Sequence, residues 1–238
     1  MPRERSPDER SRIRREFERR DADAQLRDRY RPDRPAVRFE AESLTLALRA
    51  LLGRHGVLPL GGARILEVGC GSGGRFELLR RLGADADGVW GVDLSAQRLA
   101  AAARSAPAAR LVEADATELP FRDHVFDLVA QFTAFTSILD AGARGAAARE
   151  MVRVLRPGGT IVWYDFRVTP PGSKTRGVSA DEIRRLYPRA EIDLTTVTLA
   201  PPLARALLPW AAILADALQR VPLLRTHHLA LVRPEARG

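Results

Sequence analysis

The chain contains one cysteine, Cys70, so no internal disulfide is available and a folded state has to rest on a buried core. Lysine is almost absent as well: Lys174 stands alone, and arginine supplies nearly all of the positive charge. Aromatic residues are sparse at 6%, and no apolar run is long enough to cross a bilayer. The longest, Ala206 to Ala215, is short and interrupted by Pro209. Residues 1–20 hold no apolar segment that could act as a secretory leader. A cytoplasmic protein with no transmembrane segment is the expectation from these gaps.

A net charge of +8 would ordinarily suggest a polyanionic partner. Arginine without lysine, set among abundant alanine, reads instead as a bias of the coding genome, and nucleic acid is not the expected partner. With 238 residues, 45% of them hydrophobic, the chain can bury one sizeable core. Residues 1–34 carry 12 Arg against 9 Asp plus Glu, with Ile13, Phe17, Leu26 and Tyr30 as nearly the only apolar side chains. Interleaved charge of this kind fits a solvated helix or an arm that closes over a ligand as a lid. Residues 35–238 read as a single domain with a helical insertion at about 201–222.

The organising stretch is Ala63 to Gly74. The apolar run Ile65 to Val68, broken by Glu67, enters the cluster Gly69-Cys70-Gly71-Ser72-Gly73-Gly74, and Phe76, Leu78, Leu79 and Leu82 follow at helical spacing. Strand, glycine turn and helix together place a nucleotide-like ligand at a helix N-terminus. Downstream, short apolar runs alternate with helical stretches. Strands are expected at 89–92, 110–114, 126–132, 160–164, 192–199 and 228–232, with helices at 96–103 and 146–155 between them. Ser179 with Glu182 reads as a capping box. Such alternation predicts an α/β fold with a mostly parallel sheet and helices on both faces.

Two ligand chemistries fit the glycine turn. Gly69, Gly71 and Gly74 satisfy the dinucleotide pattern G-x-G-x-x-G, so a nicotinamide-dependent oxidoreductase is one reading. Glu67 with Gly69, Gly71 and Gly73 satisfies an acid-x-G-x-G-x-G pattern, and a carboxylate there would repel a pyrophosphate but receive a cationic amino group. Asp93 ends the next strand, where it can accept both hydroxyls of a ribose in either case. Asp115 ends the third, placed to take an adenine amino group while the Ala116 amide meets a ring nitrogen.

These residues resemble the class I S-adenosylmethionine-dependent methyltransferases. The resemblance rests on Leu66 to Gly73, Gly91-Val92-Asp93-Leu94-Ser95, Glu113-Ala114-Asp115-Ala116, Leu119-Pro120-Phe121, Phe126-Asp127-Leu128-Val129 and Val154-Leu155-Arg156-Pro157-Gly158-Gly159. The set runs in order from about 63 to 165 and is most similar to the ubiquinone and menaquinone biosynthesis branch. It implies a Rossmann-like, doubly wound seven-stranded sheet whose last strand is antiparallel, and S-adenosyl-L-methionine as cofactor. It also implies that Glu67, Gly69, Cys70, Gly71 and Gly73 hold the amino-acid end, Asp93 the ribose, Leu94 the adenine face, and Asp115 with Ala116 the adenine edge. Gln131 would face the sulfonium and the acceptor. The continuation Gln131-Phe132-Thr133-Ala134 lacks the Asn/Asp-Pro-Pro-aromatic run of base-amino methylation and the acid of a metal-assisted site, so no metal is expected.

For chemistry on the acceptor, a base should sit where the parallel strands end. Asp165 follows the fifth strand, and an antiparallel last strand would bring His227 and His228 to the same edge. The apolar stretch Leu203 to Leu218 is open to three readings: a core helix, a homodimer helix, or a lid over an apolar acceptor. The function expected is methyl transfer to a small-molecule or lipid-like acceptor at oxygen.

Overall fold

Short β-branched and apolar runs cannot bury their backbone polar groups singly, and they pair into a sheet. The computed structural model describes residues 7–169, 173–208 and 210–235; the first six residues of the charged arm and Pro209 lie outside that range. Among the described residues the strands are β1 (Ile65–Val68), β2 (Val89–Asp93), β3 (Arg110–Glu113), β4 (Phe126–Phe132), β5 (Leu155–Phe166), β6 (Ala190–Leu199) and β7 (Arg225–Pro234). They form one sheet in the order β3-β2-β1-β4-β5-β7-β6. β7 runs antiparallel to both neighbours, and the other pairings are parallel. The chain therefore winds outward from β1 to β3, then returns to the other side of β1 with β4. Such a reversal opens a crevice at the carboxyl ends of β1 and β4.

Helices cover both faces: α1 (Pro7–Ala22), α2 (Ala24–Arg29), α3 (Pro35–Arg54), α4 (Phe76–Arg81), α5 (Ala96–Ser105), α6 (Ala141–Val154), α7 (Ala180–Leu186), α8 (Pro201–Leu207) and α9 (Ala212–Gln219). Ser95, Asp140 and Ser179 cap α5, α6 and α7 through side-chain oxygens that accept backbone amides. Strand alternation sorts the core into two layers. Ile65, Leu128, Ala130, Val162, Leu229 and Leu231 pack with Leu44, Leu48, Leu51, Leu78 and Leu79 of α3 and α4. Leu66, Val68, Val129, Ile161, Trp163 and Ala230 pack with Ala147 and Met151 of α6, Ile183 of α7 and Tyr187 just after it.

Several boundaries differ from the sequence reading. β5 begins at Leu155 rather than at Thr160, with a register shift opposite β4, so the Pro157-Gly158-Gly159 segment lies inside the strand instead of before it. Gly158 has φ +75°, the left-handed conformation that an irregular strand segment asks of glycine. The apolar stretch after β6 divides into two helices, α8 ending at Leu207 and α9 beginning at Ala212. The charged arm forms α1 and α2. Ile13 and Glu16 are buried, so this helix is docked along one side, while most of its arginines stay in solvent.

Candidate functional site

The crevice widens into a cleft of about 2700 Å³ across the carboxyl edge of the sheet. Its floor is the turn after β1. The Gly69 and Cys70 amides both donate to the Val92 carbonyl, at 2.8 and 3.0 Å, which folds the turn over the tip of β2. Gly69 has φ +75°, and a Cβ there would lie 2.7 Å from the Ala134 methyl group, so only glycine lets the β4 turn approach. Cys70 is buried toward the core, with Sγ packed against Gly91.

Glu67 sits beneath this turn, 1% exposed, and its Oε2 has no hydrogen-bond partner. Burial pushes its carboxyl up to about 8, against the pull of the Arg75 guanidinium and with the push of nearby Asp93. Arg75, at the start of α4, is held by Glu40 of α3 at 2.8 Å and lies over the Tyr164 ring at 5.8 Å. An unpartnered buried carboxyl oxygen under a bare glycine turn is the arrangement a cationic amino group would complete. By this measure the residues present fit a cofactor with an ammonium end.

Asp93 ends β2 beside that turn. Its Oδ2 accepts the Gly71 amide and its Oδ1 the Ser95 amide, each at 2.9 Å, so the carboxylate is fixed while it lines the cleft. Beyond it, Asp115 Oδ1 accepts the Thr117 amide at 2.7 Å, and its second oxygen is paired with Arg10 of α1. Leu94, Asp115 and Ala116 line the same wall.

A family model described as a methyltransferase domain matches residues 66–163. Over those residues the chain is similar to methyltransferase domains. The demethylmenaquinone methyltransferase of Mycolicibacterium paratuberculosis is 37% identical over 131 residues, 54% of this chain and 52% of that protein. The 27-O-demethylrifamycin SV methyltransferase of Amycolatopsis mediterranei is 35% identical over 136 residues, 54% of this chain and 47% of that protein. This chain thus spans about half the length of the curated relatives it matches. A solved SAM-dependent methyltransferase from Methanosarcina mazei has the same fold, with a TM-score of 0.56, 19% identity, and coverage of 77% of this chain and 97% of that one. Among the described residues no helix is long and apolar enough to cross a membrane.

The residues expected from the sequence at the methyltransferase site fall into two groups. Gly69, Gly73, Asp93, Leu94, Asp115, Ala116 and His227 line the cleft. Glu67, Cys70, Gln131, Asp165 and His228 are buried behind its walls, and Gly71 is half-buried in the turn. Gln131 is fully buried; its Oε1 accepts the Ala134 amide at 3.0 Å and its Nε2 has no partner. Asp165 accepts the Thr136 and Phe166 amides at 3.1 and 2.8 Å, and burial raises its carboxyl to about 6.

His227 and His228 were expected to rim the pocket together, but neighbours on a strand point to opposite faces. His227 stacks on Tyr164 with ring centroids 4.6 Å apart and faces the cleft. Burial, with the nearby Arg75 and His228, lowers its imidazole to about 3. His228 lies on the α6–α7 side, opposite Asp165 in register, and burial with Arg167 and Arg184 lowers it too. The other two histidines lie elsewhere: His55 meets Asp193 at 2.9 Å, and His124 meets the Leu155 carbonyl at 3.0 Å.

Several site residues carry no sequence signal. Thr133 has φ +62° at the tip of β4, a costly conformation for a β-branched residue, and its amide donates to the Tyr164 carbonyl at 2.7 Å. α1 crosses the mouth of the cleft: Glu9 accepts the Leu139 amide at 2.6 Å, and Arg14 reaches the Leu94 carbonyl at 3.1 Å. Asp21 then pairs with Arg98 at 2.6 Å, and that guanidinium lies 4.0 Å from the centroid of the Phe17 ring. Charge alternation along residues 7–22 was the one available hint of this, but it does not say which side docks.

Proposed function

We propose that the protein transfers a methyl group from S-adenosyl-L-methionine to a hydroxyl of a small-molecule or lipid-like acceptor, by in-line displacement. The observation that carries the cofactor half is Glu67 Oε2, buried and unpartnered under the glycine turn. The cofactor supplies an activated methyl group on a sulfonium. Glu67 and the Gly69–Gly73 backbone would hold its amino-acid end, Asp93 the ribose hydroxyls, and Leu94, Asp115 and Ala116 the adenine. A pyrophosphate, having no donor, would leave the buried Glu67 Oε2 without the partner that an ammonium supplies.

On the acceptor side, the chain's residues position more than they titrate. Both Asp165 oxygens accept backbone amides, so Asp165 holds the turn after β4 in place and acts as a positioning residue. His227, lowered to about 3, stays neutral at neutral pH and is a weak base. His228 faces away. Alignment and exclusion of water, which can lower a barrier by about 7–11 kcal/mol, are therefore the main contributions. A site without a strong base suits an acceptor that ionises readily, such as a phenol or an enol.

Calorimetric titration tests the reading. S-adenosylhomocysteine is expected to bind and NAD is not; binding of NAD alone would overturn it. Transfer of labelled methyl to phenolic or quinol acceptors, sorted by product mass, then tests the acceptor class.

A further inference from the structure

The arginines that tie this fold together use the whole guanidinium fork. Arg144 is fully buried and donates from Nε to the Ile138 carbonyl at 2.6 Å, from Nη1 to Glu182 at 2.7 Å and from Nη2 to the Arg176 carbonyl at 2.9 Å. Arg153, 31% exposed, likewise engages all three nitrogens, on Glu150, Asp123 and the Phe121 and Leu119 carbonyls. Arg75 differs. Its side chain is more covered, at 23% exposed, yet among the described residues its one hydrogen bond runs from Nη2 to Glu40 at 2.8 Å. Nε and Nη1 meet no protein acceptor, and covered donors left in this way are costly to a fold and available to a ligand.

What surrounds Arg75 selects the group it can take. Arg75 and Glu40 both line the cleft, and the Arg75 guanidinium lies 5.8 Å from the centroid of the Tyr164 ring. Its charge is near enough to Glu67 to pull on that carboxyl, and near enough to His227 to hold the imidazole down. Glu67 Oε2 is an acceptor without a donor, and Arg75 carries donors without acceptors. Side by side, the two complement a zwitterion, with its ammonium toward Glu67 and its carboxylate toward Arg75. A planar fork suits a carboxylate, which can take two N–H groups at once. An anion without an ammonium would satisfy Arg75 and leave Glu67 Oε2 unpartnered.

We propose that Arg75 is a specificity-determining residue of the cofactor site: its free N–H groups receive the carboxylate of the cofactor's amino-acid end while Glu40 holds the guanidinium in place. This rests on the S-adenosylmethionine reading above. It is measured as a ratio of two ligand affinities, so it can fail while that reading stands.

The test is calorimetric titration with S-adenosylhomocysteine and with its decarboxylated analogue, which keeps the adenosine, the sulfur and the amino group. Wild type is expected to bind S-adenosylhomocysteine about tenfold more tightly or better, the difference that one charged hydrogen bond makes. In Arg75→Gln the two ligands are expected to bind alike, with the affinity for the analogue unchanged. Arg75→Lys, which keeps the charge and loses the fork, should retain part of the ratio. Glu40→Gln removes the ion pair and leaves the free donors, so its ratio should stay that of wild type. The wild-type comparison needs no variant and holds even if Arg75→Gln fails to fold. Equal binding of both ligands by wild type overturns the proposal and leaves the S-adenosylmethionine reading intact, whereas binding of neither removes both. An Arg75→Gln variant that weakens both ligands equally also overturns it, because Arg75 is then a tie between α4 and α3. A ratio lost in Glu40→Gln as fully as in Arg75→Gln overturns it too, since the ion pair and not the free donors would then set the preference.

Discussion

The two walls of the cleft are made in different ways. The wall proposed to hold the cofactor comes from one stretch, 65–134, in which strand tips and turn backbone are tied to each other: Val92 to Gly69, Asp93 to Gly71, Gln131 to Ala134. The facing wall is assembled from side chains of α1, α3, α8 and β7, segments far apart in the chain. The first wall is rigid because hydrogen bonds to its turn amides, from one carbonyl and two buried side chains, define it. The second depends on ion pairs and packing at the surface, where each exposed pair contributes about 0–1 kcal/mol. Changes on the cofactor wall should therefore be severe and local, and changes on the facing wall should be mild and sensitive to salt.

The largest effect is expected at Gly69. Gly69→Ala puts a Cβ 2.7 Å from Ala134 at φ +75°, and should weaken S-adenosylhomocysteine binding by about 100-fold or more, with a lower melting temperature. Mild loss would show that the turn is as adaptable as the facing wall. Next comes Asp93→Ala, expected to weaken binding by at least about tenfold, as loss of a charged hydrogen bond should. Because this carboxylate also fixes the Gly71 and Ser95 amides, Asp93→Asn should retain more of the fold than Asp93→Ala in thermal melts.

Glu67 gives a pH signature. Its folded-state carboxyl lies near 8, above its ordinary 4.5, so the ligand-free fold keeps the full contribution below 4.5 and loses it as pH rises from 4.5 to 8. An ammonium arriving beside it would lower that value, so binding at pH 7 should release a proton. The calorimetric heat should then differ between phosphate and Tris buffers, and the difference should vanish in Glu67→Gln. The smallest effect is expected on the facing wall. Removing residues 1–22 takes Arg10 from Asp115 and Arg14 from Leu94, and should raise the dissociation constant by about tenfold or less while the sheet stays folded by circular dichroism. An effect equal to that of Gly69→Ala would erase the contrast between the walls.

The same contrast explains what could be read from the chain before its structure. Glu67, Gly69, Gly73, Asp93 and Asp115 sit where they do because strand length and glycine conformation place them, and both are written locally. The antiparallel placement of β7 followed from the family resemblance rather than from any local pattern. That His227 and His228 face opposite ways is a period-two consequence that depends on which face of β7 meets the cleft, and this is settled only by packing. Arg75, Glu40 and Arg10 act through partners 35 and 105 positions away, and no spacing rule reports such pairs. Thr133 is harder still, since its left-handed backbone is imposed by the turn it closes.

The most direct test is the structure of the complex with S-adenosylhomocysteine. The ribose hydroxyls are expected on Asp93, the adenine between Leu94 and Asp115, and the amino end over the Gly69–Gly73 turn toward Glu67. A ligand bound away from that turn, or in it with its amino end directed away from Glu67, would contradict the account.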